Sequence, residues 1–270
     1  MIGFEKKIQQ TLQTLDMKNL PKILSNNIIL ISILLLSRLD SLAQHDPFSN
    51  EYAVTNYLFD IRNQSFLLPQ AQPAWKYSQA LSFSYIDLPG DWTLNQINAP
   101  ILGYSGKFSL PAGFNIQATL STMLISNRLE FGPFWNYSVN HFHLGLGWQS
   151  AYSMGFLNQF GYQTRMTGWD QEPTIILGHS FRKFALTLRS SLELTNSIQF
   201  TEGDHKLPQY HSFFNGYSVS ASFEQRLYKN KVVQLTVKIN SLKYVYVAWP
   251  VFPGDQTRYL LPEFKIGLNF

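Results

Sequence analysis

The chain offers few residues whose type and spacing could support catalysis or metal binding. His141 and His143 are two residues apart, so in a strand they would share one face, where two imidazoles could hold a metal ion weakly. No carboxylate lies near them in the sequence, and a polar turn is the simpler interpretation. Asp87, Asp91 and Asp170 fall in segments with a loop-like composition, where aspartate commonly stabilises turns.

Motifs typical of hydrolases and nucleotide-binding enzymes are absent from the sequence. It contains no Gly-x-Ser-x-Gly, no His-Glu-x-x-His and no phosphate-binding glycine loop. It also has no cysteine, which excludes disulfides, a thiol nucleophile, cysteine-ligated zinc and a lipoprotein anchor. We therefore expect a non-enzymatic protein without cofactor or metal; an active site assembled from distant Ser, His and Asp residues is the open alternative.

The clearest pattern is the alternation of apolar and polar residues between Gly216 and Val247, which predicts two strands joined by a tight turn at residues 228–231. The apolar faces comprise Tyr217, Val219, Ala221, Phe223 and Leu227 in the first strand and Val233, Leu235, Val237 and Ile239 in the second. In a soluble sandwich this face would form the core, whereas in an outer-membrane barrel it would face lipid.

The N-terminal residues have the layout of a secretory signal peptide. The apolar run at residues 28–36 follows two lysines and is too short to span a bilayer as a mature helix. We predict a signal peptide over residues 1–43, with Met17 as a possible start, and cleavage between Ala43 and Gln44. A buried core helix and a retained anchor are the alternative interpretations.

Composition indicates the compartment and excludes one class of partner. An exported chain without cysteine suits a bacterial envelope better than a eukaryotic secreted fold. Charged residues make up 14% of the chain and aromatic residues 15%, whereas soluble domains carry about 25% charged residues. A net charge of +4 gives no basic patch that would indicate nucleic-acid binding.

Ten strands of about ten residues are predicted between Tyr77 and Phe270. Short connections alternate with longer ones, the long set being 87–100, 126–130, 153–172, 196–215 and 248–257; a further strand pair within 153–172 is the alternative for that segment. Outer-membrane barrels have short periplasmic turns and long external loops. We therefore predict an all-β fold, an antiparallel transmembrane outer-membrane β-barrel of about 10–14 strands over residues 77–270, with both termini in the periplasm. A soluble β-domain is the alternative.

Two further features concern the lumen of that barrel. Residues 44–76 contain three prolines and no sustained period, which predicts an N-terminal plug or a periplasmic segment. Charged side chains fall on the polar faces of strands, where they avoid a cost of about 2–4 kcal/mol for arginine or lysine in lipid. The predicted lumen charges are Arg189, Glu193, Glu224, Arg226 and Lys238. Tyrosines at predicted strand ends, Tyr244 and Tyr246 among them, are interpreted as an interfacial girdle.

The last strand carries a second indication of the membrane. Phe264, Ile266, Leu268 and Phe270 alternate with polar residues or glycine, and Phe270 ends the sequence. This arrangement resembles the C-terminal signal by which the outer-membrane insertion machinery recognises its clients. That machinery and the lipid of the outer membrane are thus expected partners. An ordinary amphipathic edge strand is the alternative interpretation.

Several short stretches resemble the PorP/SprF family. They are Asp46-Pro47-Phe48-Ser49, Arg62-Asn63-Gln64, Gln79-Ala80-Leu81-Ser82-Phe83-Ser84 and Trp135-Asn136-Tyr137-Ser138. Members are outer-membrane barrels of Bacteroidetes tied to type IX secretion and gliding. The resemblance implies a structural or partner-binding component of a secretion, gliding or surface-anchoring assembly, with envelope proteins as partners. The alternative is a small stand-alone channel or ligand-binding barrel.

Overall fold

The structure is a computed structural model that describes residues 60–88, 97–123, 125–159, 162–203, 205–206, 209–228, 231–247 and 258–270. The predicted signal peptide, its cleavage between Ala43 and Gln44, and residues 44–59 of the predicted plug lie outside the described residues. In these ranges, no helix has the length and apolar character needed to cross a membrane.

Most of the described chain forms antiparallel strands. They are β1 (Tyr77–Leu88), β2 (Ile97–Ser109), β3 (Phe114–Thr122), β4 (Ser126–Val139), β5 (Phe142–Gln159), β6 (Tyr162–Ser180), β7 (Phe184–Glu202), β8 (His205–Lys206), β9 (Tyr210–Tyr228), β10 (Lys231–Leu242) and β11 (Tyr259–Asn269). Each strand pairs with its neighbour in sequence, with one exception. The short β8 pairs only with the end of β7, and β7 pairs with β9 along most of its length. Pairing of β1 with β11 closes a barrel of ten strands in the described residues.

The barrel wall has an exposed apolar outer face and a buried polar inner face. In β9, Tyr217 and Val219 are 44% and 45% exposed, whereas Ser218 between them is 4% exposed. In β7, Leu188 is 55% exposed and Thr187 is 5% exposed. A soluble protein would bury the apolar face instead. The molecule is therefore a transmembrane β-barrel of the outer-membrane class, and the predicted fold is confirmed.

Several strands are longer than the sequence pattern predicted. Residues 126–130 begin β4, and nearly all of 153–172 and 196–215 belong to strands β5, β6, β7 and β9, so the loops predicted there are wrong. Serine and glycine made these segments resemble loops. In the barrel many of their small residues face inward, as Ser153 does at 0% exposure, because a lumen that holds other chain segments needs small polar wall residues. The strict alternation of short and long connections is wrong for the same reason.

The barrel has two rims, which we name by their connections. The terminal rim carries the start of β1, the end of β11, the connections 110–113, 140–141 and 181–183, the end of β9 and the start of β10. The far rim carries the opposite ends of the strands. At the far rim, Gly216 of β9 pairs with the last residue of β10, and the part of β9 before Gly216 extends past the end of β10. Likewise Gly155 of β5 pairs with the first residue of β4, and the part of β5 after Gly155 extends past the start of β4. The wall is consequently taller along β5, β6, β7 and β9.

Two segments outside the wall enter the lumen and pack against inward-facing apolar residues of the strands. The plug segment, residues 60–72, contains helix α1 (Ile61–Gln64) and contributes Ile61 and Leu68 to one buried cluster. The strap, residues 243–247, contributes to the clusters near the far rim. Tyr244 is 2% exposed and Tyr246 packs beside it, so their predicted place in an interfacial girdle is wrong. The strand pattern could not reveal that the chain turns inward after Leu242.

Candidate functional site in the lumen

The plug segment is held by Glu224, an inward-facing residue of β9 near the terminal rim. Its carboxylate is 1% exposed and accepts hydrogen bonds from the backbone amides of Phe66 at 2.9 Å and Leu67 at 3.3 Å. The hydroxyl of Ser65 and the side-chain amide of Asn269 donate to the same group. Charge-assisted hydrogen bonds of this kind are about twice as strong as neutral ones, so Glu224 is the main anchor of the plug.

A cation from another part of the wall holds the same turn of the plug. Lys107 of β2 is 1% exposed; its Nζ donates to the carbonyl oxygen of Phe66 at 2.7 Å and lies 5.1 Å from the centre of the Phe66 ring. Farther along, Nδ2 of Asn136 donates to the carbonyl oxygen of Gln70 at 3.2 Å. The plug is thus bound by side chains of strands that are well separated around the barrel.

Two inward glycines of the wall make room for the plug. A Cβ atom at Gly178 would lie 2.6 Å from Cδ1 of Leu68, and one at Gly145 would lie 2.7 Å from Cβ of Pro69. Both distances are shorter than carbon atoms tolerate. The close approach of Leu68 and Pro69 to β5 and β6 therefore requires glycine at these two positions.

The strap is held at the far rim by Asn215 of β9. Nδ2 of Asn215 donates to the carbonyl oxygen of Tyr244 at 2.9 Å, and its Oδ1 accepts from the backbone amides of Tyr244 at 2.8 Å and Lys243 at 3.1 Å. The Tyr246 ring lies 5.3 Å from the guanidinium carbon of Arg128. Burial raises the pKa of both strap phenols, so Tyr244 and Tyr246 remain neutral at physiological pH.

Beneath the strap, Arg128 of β4 gathers three carboxylates. Its guanidinium bonds to Glu130 at 3.0 Å, to Asp170 at 2.7 Å and to Glu172. Asp170 also accepts a hydrogen bond from the Thr195 hydroxyl at 2.7 Å. Lys238 and Arg189 lie near Glu130 and Glu172 as well, so the cluster is part of a larger network of opposite charges in the lumen. It also fixes Arg128 in the position that packs against the strap.

A cavity of about 180 Å³ separates the plug from the strap. Phe66 and Leu67 line it on the plug side, and residues 244–247 line it on the strap side. The surrounding wall is rich in serine and threonine. Its charged lining residues are Arg128, Glu130, Glu172, Arg189, Glu193, Lys238, Glu263 and Lys265. The lumen therefore has three levels: the plug, a polar cavity and the strap.

The structure brings most of the predicted lumen charges together. Arg189, Glu193 and Lys238 line the cavity, and Glu224 holds the plug. Arg226 lies closer to the terminal rim, partly buried opposite Val232, and does not line the cavity.

Several important residues were missed because their segments resembled loops. Arg128, Glu172 and Asn215 fall within the segments predicted as connections, and Asp170 is part of β6 rather than of a loop. The signal that could have found them is local. In 127–131 the charged residues Arg128 and Glu130 alternate with Leu129 and Phe131, which is already the pattern of a barrel strand.

The structure places the two histidines in different surroundings. His141 is exposed in the turn, whereas His143 is 4% exposed and lies between Ser138 and Ser180, with ring nitrogen to oxygen distances of 2.9 Å and 3.0 Å. Ser180 is 1% exposed, and no carboxylate hydrogen bonds to the imidazole in the described part of the chain. No cluster of three or more metal-binding side chains occurs there. His143 is best explained as wall packing, and His141 as a turn residue.

The predicted assembly strand is the strand that closes the barrel. Phe264, Ile266 and Phe270 are 44%, 50% and 44% exposed on the outer face, and Leu268 is partly exposed beside them. β11 pairs with β10 on one side and β1 on the other. Its apolar side chains therefore lie against lipid in the finished barrel.

No protein-family model matches the sequence, and no curated protein matches it. The fold is similar to solved outer-membrane barrels. The KdgM porin has a TM-score of 0.38 at 9% identity over 71% of this chain and 98% of that one. Neisserial surface protein A has 0.36 at 10% identity, with 72% and 95% covered. The translocator domain of the autotransporter NalP from Neisseria meningitidis has 0.40 at 9% identity, with 72% and 87% covered. These values add nothing about function.

Proposed function

We propose that this protein is a plugged, non-enzymatic barrel that acts as a structural or partner-binding component of an envelope assembly. The observation that carries the proposal is a set of hydrogen bonds across the lumen. Glu224 and Lys107 bind the plug segment at Ser65, Phe66 and Leu67. A pore that conducts solutes needs a continuous path. Here that path is occupied by a segment held with charge-assisted hydrogen bonds at one rim and by the strap at the other.

The proposal extends to topology and to the kind of assembly. By the usual orientation of outer-membrane barrels, the terminal rim faces the periplasm, which would present the plug side to periplasmic partners and the taller wall of β5 to β9 to the outside. The resemblance to the PorP/SprF family supports a role in type IX secretion, gliding or surface anchoring. Assembly through the insertion machinery, guided by Phe264 to Phe270, belongs to the same proposal.

A second candidate function is a small channel or ligand-binding barrel. The observation that favours it is the cavity of about 180 Å³ with charged walls between plug and strap. If both segments could withdraw, this cavity would become part of a polar path through the barrel.

Conductance and partner retention together distinguish the two candidates. The full chain is isolated from its native outer membrane in a gentle detergent, its retained partners are identified, and its conductance is recorded in planar bilayers. We expect retained envelope proteins and no steady conductance. The double variant Glu224→Gln with Lys107→Gln should lose partners that bind the plug side, while the strap keeps it silent. The matched control changes the exposed Glu202 and Lys206 in the same way and should keep these partners.

Two results would contradict the proposal. Steady conductance of the intact protein without retained partners would replace it with the channel. A silent barrel that retains no partner under conditions that preserve other envelope complexes would refute the partner-binding role.

A further inference from the structure

One lipid-facing part of the barrel wall carries hydrogen-bonding side chains. Gln149 and Asp170 are 1% and 2% exposed and face the lumen. Their neighbours Trp148, Ser150 and Gln171 therefore lie on the outer face of β5 and β6, because successive strand residues alternate. Nε1 of Trp148 donates to Oε1 of Gln171 at 2.7 Å, and the Ser150 hydroxyl donates to the same oxygen at 2.9 Å. We name these three side chains the outer polar patch.

Aromatic pairs mark both edges of the apolar band on these two strands. Phe142 and His179 pack edge to face at the terminal rim, with ring centroids 4.6 Å apart. Tyr152 and Trp169 lie 6.1 Å apart, ten residues farther along β5. Ten strand residues at a tilt of about 40° rise about 25 Å, which is the height of the apolar band in outer-membrane barrels. The outer polar patch lies between the two pairs, so it faces hydrocarbon.

Trp148 fixes the orientation of the Gln171 amide. An indole N–H can only donate, so the carboxamide oxygen of Gln171, and not its nitrogen, faces Trp148. Nε2 of Gln171 therefore keeps both of its N–H donors and forms no hydrogen bond with any described residue. Trp148 lies closer to the middle of the band than Gln171, so the bond to Trp148 holds the amide within the hydrocarbon. Donors that lack an acceptor there are costly.

Ser150 carries the complementary group. Its hydroxyl donates to Gln171 and accepts no hydrogen bond from the described part of the chain, so its lone pairs remain available. Ser150 and Gln171 are directly paired across β5 and β6. A two-fold axis along the membrane normal keeps every residue at its depth and places β5 of one copy opposite β6 of the other. Each Gln171 amide then faces the Ser150 hydroxyl of the second copy, and the two bonds form reciprocally, as in an isologous interface.

A second copy of the chain supplies what lipid lacks. Acyl chains have no acceptor for the Gln171 amide, whereas a second copy brings one at the same depth by symmetry. The side chains around the patch are apolar and 42% to 53% exposed; they are Leu129, Phe131, Leu146, Ile175 and Leu177. We propose that two copies of this chain associate in the membrane through the outer faces of β5 and β6, with the outer polar patch at the two-fold axis. The association uses neither the plug nor a rim, so it stands apart from the proposed partner-binding role.

The test measures association of the full mature chain in lipid vesicles. Lys206→Cys introduces a single cysteine at an exposed position of β8, to which donor and acceptor dyes are attached. We expect energy transfer that decreases reversibly as added lipid dilutes the protein. A hydrogen bond between membrane segments changes the association constant by a factor of about 3 to 20. Loss of both reciprocal bonds in Gln171→Leu or Ser150→Ala should therefore raise the dissociation constant by about 10- to 400-fold. Gln225→Leu, which changes an exposed outer-face glutamine of β9, is the matched control and should leave that constant unchanged.

A cross-linking measurement locates the interface. Leu146 and Ile175 are directly paired on β5 and β6, so the same symmetry places Leu146 of one copy opposite Ile175 of the other. A mixture of Leu146→Cys and Ile175→Cys chains should form mixed disulfide dimers on oxidation. The matched control is a mixture of Phe83→Cys and Ile266→Cys chains. These two residues are also directly paired and exposed, but they lie on β1 and β11 across the barrel and should not cross-link.

Heat-modifiable mobility on gels verifies that each variant is folded. Folded wild-type barrel that stays monomeric at every lipid dilution would overturn the inference. An unchanged dissociation constant in both Gln171→Leu and Ser150→Ala would overturn it as well, as would cross-links at Phe83 and Ile266 in place of Leu146 and Ile175. A purified barrel that is monomeric, but whose Leu146→Cys variant cross-links to a different envelope protein in native membranes, would assign this face to that protein and exclude the second copy.

Discussion

Replacement of Glu224 by glutamine should release the plug without changing the shape of the lumen. The carboxylate accepts from two backbone amides, the Ser65 hydroxyl and the Asn269 amide. Glutamine keeps one acceptor oxygen and replaces the other with a donor. The change therefore removes one or two charge-assisted hydrogen bonds, which corresponds to about 2–4 kcal/mol. The population with the plug released should rise by about 30- to 700-fold.

A single introduced cysteine can report that change, because the sequence has no cysteine of its own. Leu68 is 1% exposed within the plug contact, so Leu68→Cys should react with a maleimide only when the plug leaves its site. The labelling rate is measured in membranes at a maleimide concentration low enough that labelling is slower than closure of the plug. Under this condition the initial labelling rate is proportional to the population with the plug released. Adding Glu224→Gln should raise this rate by the factor given above.

The control for this prediction is Glu202→Gln in the same Leu68→Cys background. Glu202 is exposed at the end of β7 and should leave the labelling rate unchanged. If Glu224→Gln also leaves the rate unchanged while the barrel is folded, Glu224 does not hold the plug. The carboxylate would then be only a wall residue, and the closure on which the proposed function depends would lose its main support.

Three further predictions concern the wall and its assembly. Leu235 is 49% exposed on the outer face, so Leu235→Arg should destabilise the barrel in lipid by about 2–4 kcal/mol and lower the folded fraction in vesicles. Leu235→Phe is the control and should leave that fraction unchanged. An equal loss in both variants would refute the assignment of this face to lipid. Gly178→Leu should displace Leu68 and speed maleimide labelling of Leu68→Cys; an unchanged rate would show that the contact is not restrictive. Phe270→Ser should slow the appearance of heat-modifiable barrel in cells, whereas Phe270→Tyr should not, and equal rates would contradict a role for the terminal residue.

Much of the wall could be predicted from local sequence. Alternation in Tyr217 to Leu227 and in Val233 to Ile239 has the period of a strand, and pairing confirms both strands. The combination of an apolar face with inward charges such as Glu193 and Lys238 favoured a lumen over a soluble core. This inference succeeded because lipid favours apolar residues and the lumen favours polar ones, so the alternation within a single strand already distinguishes its two faces.

Prediction of strands from the sequence failed where inward-facing residues are small and where the chain leaves the barrel wall. Ser153, Gly155 and Gly168 are wall positions with little side chain, and a glycine or serine in a strand has the same composition as one in a loop. Tyr244 and Tyr246 are in phase with the inward residues Asn240 and Leu242 of β10, but the chain itself leaves the wall after Leu242, where Asn215 of the neighbouring strand binds the backbone of Lys243 and Tyr244.

The sequence by itself determined the strand pattern, the outward apolar face and the presence of inward charges, because these depend on neighbours along one strand. Only the tertiary structure decided which charges meet. Lys107 and Glu224 are more than a hundred residues apart in the chain, and both bind the plug because closure of the barrel brings β2 and β9 around the same short segment. Barrel closure is a property of all ten strands together, so no local pattern could specify the plug site, the strap or the cavity between them.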